Sequence, residues 1–260
     1  MESLTLDLLL FCTALFAGAV NAVAGGGTFF VFPALLLSGI SPISANATST
    51  IALWPGAVAS VVAFRRELRG LGIALIWMMM LGAVGGYIGA KLLLITDNQT
   101  FEKMIPWLLL IATFFFAYGK NMAQMMDKVA SRSGISRHYR MILSIAFQII
   151  IALYGGFFGA GIGILTLAML QLLGEQDLHK INAMKTVIAS SINASAFFTF
   201  VFSDIVAWDK ALLMAVGGIA GGYGGAWLTL RVSPLTLRRI VLITACAMTV
   251  YFFWKYYVAM

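Results

Sequence analysis

The chain has 260 residues and a formal charge of +7, with 61% of its residues hydrophobic and 10% charged. An ordinary soluble domain is about 45–50% apolar and about 25% charged, so a water-facing fold of this composition would expose wide apolar patches and the bilayer is the expected solvent. The positive charge falls in clusters between apolar runs, which argues for membrane topology and against nucleic acid as a partner.

The first uncharged run extends from Leu8 to Phe64. One crossing takes about 20 helical residues, so this run must fold back. The expected arrangement is a broken or hairpin helix pair over residues 4–40, bending near Gly25-Gly26-Gly27, and then a span near 45–64. Glu2 and Asp7 stand where a signal peptide would carry basic residues, so the start reads as mature protein. A basic cluster, Arg65, Arg66 and Arg69 with Glu67, precedes spans near 70–94 and 103–122, which are separated by the charge-balanced stretch Lys91–Lys103. The polar, basic stretch of about 121–140 reads as a solvated linker. The uncharged run Met141–Gly174 is again too long for one crossing and is expected to bend at Gly155-Gly156 or at Gly159–Gly163. Spans near 182–203, 209–230 and 236–257 complete the chain. The apolar runs are continuous and do not alternate, which disfavours a strand barrel. Cys12 and Cys246 lie inside apolar runs without metal-ligand spacing and read as small buried hydrophobes.

At a shift of 136 residues the halves align without gaps. Gly85-Gly86-Tyr87 with Gly89-Ala90 matches Gly221-Gly222-Tyr223 with Gly225-Ala226. Asn46-Ala47 with Thr50 matches Asn182-Ala183 with Thr186, and Ala24-Gly25 with Gly27 matches Ala160-Gly161 with Gly163. The charges then give each half a direction. The clusters at Arg65–Arg69, at 120–140 and at Arg231–Arg239 are net positive and belong in the cytoplasm; Asp204–Lys210 is net negative and belongs outside. The positive segment of one half therefore aligns with the outer segment of the other. This is the pattern of an inverted-topology repeat: repeat 1 over 1–120, the cytoplasmic linker over 121–140, repeat 2 over 141–260, and both termini outside. The expected fold is an all-α polytopic membrane protein, each repeat holding a broken or hairpin pair plus three full spans.

The segments GAVNAVAGGGT (18–28), PALLLSGISP (33–42) and ANATST (45–50), with GGFFGAGIG (155–163) in the second half, resemble the TauE/SafE family of membrane permeases. In the second half Met169 stands where Pro33 stands in the first, and Met184-Lys185 where Thr48-Ser49 stand. The resemblance covers about 18–120 and 150–256. It implies a permease of the bacterial cytoplasmic membrane for small sulfur-containing anions such as sulfite and organosulfonates.

An inverted repeat places its site where interrupted helices meet. Backbone N–H groups freed at such a break find no partner in lipid, and a helix N-terminus favours an anion. The candidate substrate-binding residues are therefore Gly25, Gly26 and Gly27 with Gly161 and Gly163 at the breaks, and the polar rows Asn46, Thr48, Ser49 and Thr50, and Asn182, Lys185 and Thr186, with Asn21 and Asn193 beside them. Capping and helix–helix hydrogen bonding remain the other use of such rows. Lys185 reads either as an anion partner or as an interfacial anchor. The two Gly-Gly-Tyr motifs read as close helix packing, with Tyr87 and Tyr223 as further hydroxyls for a pathway.

No GxxxxGK[ST] sequence is present, no Asp or Glu falls inside an expected span beyond its first few residues, and no nucleophile–base or His cluster suggests an enzyme. No cofactor is expected. The partners expected are a small anion, the bilayer and, left open, a second copy of the chain. A non-transporting assembly or sensor subunit is the rival class; the paired glycine breaks flanked by polar rows favour a transporter. The membrane potential, inside negative, is worth about 2.3 kcal/mol per charge per 100 mV and drives anions outward, so the expected direction is export.

Overall fold

A computed structural model describes residues 2–23, 25–68, 72–132, 137–172, 177–228 and 234–258. Ala24 of the repeat match, residues 70 and 71, residues 133–136 of the expected linker, Gly174, and Arg231 with residues 229 and 230 lie outside the described residues. All regular structure among the described residues is helical: α1 (Glu2–Val23), α2 (Thr28–Leu37), α3 (Pro42–Ala63), α4 (Ile73–Ile95), α5 (Asn98–Arg132), α6 (Arg137–Phe157), α7 (Ile162–Leu172), α8 (Leu178–Val201), α9 (Trp208–Leu228) and α10 (Pro234–Phe253), which runs on into a π-helical turn at Trp254–Val258.

Five stretches are long and apolar enough to cross a bilayer: Leu4–Ala22, Ile73–Ile95, Asn98–Gly119, Lys180–Val201 and Arg238–Val258. The protein is a polytopic helical membrane protein. α2 and α7, with 10 and 11 residues, rise only about 15 Å at 1.5 Å per residue, half a hydrocarbon core. Each expected pair is thus one long helix followed by a half-length one. The breaks include residues 25–27 and 158–161. Gly25 and Gly26 in the first, and Gly159 and Gly161 in the second, have φ between +76° and +92°, a left-handed conformation that a side chain would strain. Gly155-Gly156, the other expected bend, stays inside α6.

The stretch expected as a solvated linker is helical over much of its length. α5 continues to Arg132 and α6 begins at Arg137, so the polar segment prolongs a spanning helix beyond its apolar part. The cysteines also differ from expectation, since Cys12 and Cys246 both lie on the exposed surface. In a bilayer that surface is lipid, where a thiol in an apolar run carries no penalty. The outer faces of α4 and α9 show the same inversion of the soluble rule, with Ile76, Val84, Ile88, Leu212 and Val216 all exposed.

The Gly-Gly-Tyr motifs set the packing. On α4, Gly85 lies against Ala152, Gly86 against the backbones of Gly156 and Ile192, and Gly89 against the Leu153 carbonyl. On α9, Gly221 lies against the Leu15 backbone, Gly222 against Gly56 and Gly225 against Ala19. Gly86 with Ile192 and Gly222 with Gly56 correspond at the 136-residue shift, and the other contacts pair corresponding helices, so α4 wedges against α6 and α8 as α9 wedges against α1 and α3. Tyr87 and Tyr223 point outward, 51% and 62% exposed, away from the interior. The core between the wedges is filled by Phe29, Phe32, Phe101, Phe116, Phe158, Phe200 and Phe252, each almost wholly buried.

Corresponding helices of the two halves meet antiparallel. Near the start of α3, Ser44 donates to the carbonyl of Ile205, just past the end of α8, while halfway along the pair Trp54 Nε1 donates to the Ser190 carbonyl at 3.1 Å. α5 and α10 repeat the arrangement. Tyr257 donates to the Lys103 carbonyl at 3.1 Å, Thr113 and Thr249 share a hydroxyl hydrogen bond of 3.1 Å, and Arg238 reaches the carbonyls of Phe116 and Ala117 at 3.2 and 3.1 Å. Trp54 with Ser190, and Thr113 with Thr249, are partners 136 residues apart, as expected where a two-fold pseudo-axis passes.

Candidate functional site

The two breaks face each other across the interior, with Gly25 packed on Gly163. Between them lies a small cavity, partly open at its mouth. Its wall is built from corresponding positions of the two halves. The breaks supply Gly25 and Gly26 on one side and Gly161, Ile162 and Gly163 on the other; α3 supplies Ser49, Thr50, Leu53 and Ala57, and α8 supplies Lys185, Thr186, Ala189 and Asn193. Each of the four α8 residues is the 136-shifted counterpart of the α3 residue in the same place. Asn21, Thr28, Ser60 and Gly159 complete the wall.

Of the residues expected from the sequence, ten line this cavity: Asn21, Gly25, Gly26, Ser49, Thr50, Gly161, Gly163, Lys185, Thr186 and Asn193. The other four stand behind it. Gly27 packs against the Ala17 carbonyl and donates its N–H to Asn21 Oδ1 at 3.3 Å. Asn46 donates from Nδ2 to the Phe157 carbonyl at 2.9 Å, closing the C-terminus of α6. Thr48 accepts the Ala207 N–H at 3.1 Å, which ties α3 to the turn before α9. Asn182 supports Lys185, accepting from its Nζ at 3.3 Å. Sequence reasoning missed Thr28, Leu53, Ala57, Ser60, Gly159, Ile162 and Ala189. A helical signal existed for some of them: Ser49, Leu53, Ala57 and Ser60 recur on one face of α3, and Lys185, Ala189 and Asn193 on one face of α8.

The cavity is electropositive for two reasons. α2 and α7 both begin at it, so their N-terminal dipoles point inward, each equivalent to about half a positive charge. The N–H groups of Gly161, Ile162 and Gly163 find no hydrogen-bond partner among the described residues. The second reason is Lys185, the one ionisable side chain on the wall among the described residues, 2% exposed. The hydroxyls are less available, because Ser49 and Thr50 donate to the Asn46 carbonyl at 2.8 and 3.1 Å and Thr186 to the Asn182 carbonyl at 2.7 Å. Their lone pairs and those N–H groups are what remains free. Such a wall offers donors and positive charge to a small anion and no carboxylate to a cation. No group of three or more His, Cys, Asp or Glu side chains that could hold a metal occurs among the described residues.

Helices that cross the bilayer around a polar cavity at paired breaks define the class, a multi-pass membrane transporter. The model of the family described as Sulfite exporter TauE/SafE matches residues 10–252, and the chain belongs to that family. It is 30% identical over 251 residues to a "Probable membrane transporter protein" of Haemophilus influenzae, covering 94% of each chain. It is 26% identical over 243 residues to the "Probable membrane transporter protein YfcA" of Escherichia coli K12, covering 93% of this chain and 87% of the relative. A further relative, "Probable membrane transporter protein ORF9" of a Sinorhizobium species, is 24% identical over 255 residues, covering 96% of this chain and 94% of its own. No solved structure matches the chain.

Proposed function

We propose that this transporter moves small sulfur-containing anions, such as sulfite or small organosulfonates, out of the cell across the bacterial cytoplasmic membrane. The observation that carries the reading is the convergence of two half-helix N-termini and the Lys185 side chain on one cavity whose wall, among the described residues, holds no carboxylate. A sulfur oxyanion presents several acceptor oxygens around one centre, and the unpaired N–H groups of the second break, the Asn193 amide and the lysine are complementary donors. The sulfur chemistry comes from the family's description; the charge preference comes from the cavity.

The mechanism is alternating access between two inverted repeats, residues 1–120 and 141–260, joined by a cytoplasmic connection over 121–140, with both termini outside. The antiparallel meeting of α3 with α8 and of α5 with α10, and the matched glycine contacts of α4 and α9, support this reading. Two equivalent halves can exchange conformations at little cost, which opens the shared cavity first to one side and then to the other. Export follows from the potential, since a cycle that moves net negative charge is driven outward from a negative interior.

The test is flux in proteoliposomes holding the purified protein. Sulfite, thiosulfate and methanesulfonate are followed under an imposed potential, inside negative or inside positive. Flux of at least one of them above that of empty vesicles, faster when the potential drives anions, is expected. Folded protein that moves none of the three would overturn the proposal.

A further inference from the structure

Lys185 lies almost fully out of solvent, at 2% exposure. Its Nζ has one weak hydrogen bond, 3.3 Å to Asn182 Oδ1, and no carboxylate pairs with it among the described residues. An unpaired ammonium in such a place is expensive. The groups facing it do not relieve that cost. α3 presents Ser49 and Thr50, and the two breaks and α7 present glycine, isoleucine and backbone. On α6 the Tyr154 hydroxyl is taken by the carbonyls of Ala160 and Leu108, at 2.9 and 3.3 Å. On α4 the Lys91 ammonium stands over the outward ring of Tyr87, and on α8 itself Lys180 is exposed. The counter-charge that makes the ammonium stable must therefore arrive from outside the protein, and the cavity beside Lys185 is where an anion arrives.

Resting on the anion-transport reading, we infer that Lys185 carries a proton through the transport cycle, so that one proton crosses with each anion. With the cavity unliganded, the buried amine has no counter-charge beside it among the described residues. An anion entering the cavity favours the ammonium, and the Nζ lone pair takes a proton from water on the loading side. When the anion leaves on the far side the ammonium loses its partner, and the proton leaves with it. No other bond is made or broken. A dianion carried this way still moves one net negative charge, so an inside-negative potential still drives it outward. No carboxylate lines the cavity among the described residues, and a lysine whose stable charge state depends on the substrate fills the role of proton carrier.

The experiment uses proteoliposomes of the intact protein, weakly buffered, with a pH-sensitive dye trapped inside and the potential clamped by potassium and valinomycin. Thiosulfate or methanesulfonate is added outside, because neither takes up a proton of its own near neutral pH. Internal acidification in step with anion entry, at a ratio near one proton per anion, is expected. The Lys185→Arg variant keeps its charge, since a guanidinium does not release its proton in a protein, and its proton-to-anion ratio is expected to fall at least fivefold. Lys185→Met is expected to lose both fluxes. Anion entry by the parent protein without a change in internal pH overturns the proton-carrier assignment and leaves anion transport standing, as does an unchanged ratio in Lys185→Arg. No entry of either anion, when sulfite also fails to move, removes the transport reading and this inference with it.

Discussion

The two halves of the molecule are built alike and charged differently. Gly25 and Gly161 both turn the chain with positive φ, and Gly86 and Gly222 both lie against the backbone of a neighbouring helix. At the cavity, however, Ser49 of α3 has Lys185 of α8 as its counterpart, and the one ionisable side chain on the wall among the described residues belongs to the second half. The shape of the site is thus a property of the repeat, whereas its electrostatics belong to one repeat alone. A duplicated scaffold supplies two dipoles and a matched pair of hinges, and a single substitution on it is enough to bias the site toward anions.

The sharpest way to break this comparison is to place its halves in the membrane. Cysteines introduced at Leu68 and Asp204, in a background with Cys12 and Cys246 replaced by alanine, should react with an impermeant thiol reagent from opposite sides, an all-or-none result. Labelling of both from one side would remove the inverted arrangement. Next in size is the charge. Lys185→Ser makes the cavity symmetric in composition; losing a hydrogen bond to a charged group costs about 1.5–3 kcal/mol, so anion flux at low substrate should fall roughly 10- to 100-fold. Adding Ser49→Lys to that variant returns the charge on the other side of the pseudo-axis and should recover part of the flux; no recovery would mean that the two sides differ in more than charge.

The packing comparison is tested by Gly86→Val and Gly222→Val. Each forces a side chain into a backbone contact and should cost about 1–3 kcal/mol or more, read as a lower midpoint of thermal unfolding in detergent and similar for the two variants. A large effect in one and none in the other would show that the wedges are not equivalent. Gly161→Ala, which puts a side chain on a left-handed residue, should cost about 1–2 kcal/mol by the same measurement. The smallest effect is expected from Thr113→Val, which removes the hydroxyl pair on the pseudo-axis; intramembrane hydrogen bonds average about 0.6 kcal/mol, so a fall in midpoint well beyond that of Gly161→Ala would assign this pair a larger role than a single bond.

How much of this was legible beforehand differs from feature to feature. The first break was, because Gly25-Gly26-Gly27 combines flexible backbone with a run too long for one crossing; the second was narrowed to Gly155-Gly156 or Gly159–Gly163, and the structure takes the latter. The wedge glycines were, because Gly-Gly-Tyr-x-Gly-Ala occurs twice in one register. Asn46 and Thr48 illustrate the limit. As sequence they belong to the same polar row as Ser49 and Thr50, yet on a helix successive residues point about 100° apart, and only Ser49 and Thr50 face the cavity. Ser60 and Thr28 were passed over for the converse reason, as isolated small polar residues that gain meaning only from what stands opposite. The helical extension of α5 to Arg132 was hidden by its polarity, since the reading of spans followed apolar runs and a helix that leaves the bilayer need not stop at its surface.

By itself, then, the sequence determined the solvent and the helical class and pointed to a duplication and to the glycine clusters where helices could break, because each follows from local composition, run length or self-comparison along one chain. The tertiary structure decided which polar side chains share a cavity, that Lys185 is buried without a carboxylate partner, and that corresponding helices meet antiparallel. Those facts depend on how helix faces are rotated and paired, and rotation and pairing are set by contacts between residues about 136 positions apart, a separation over which no local pattern carries information.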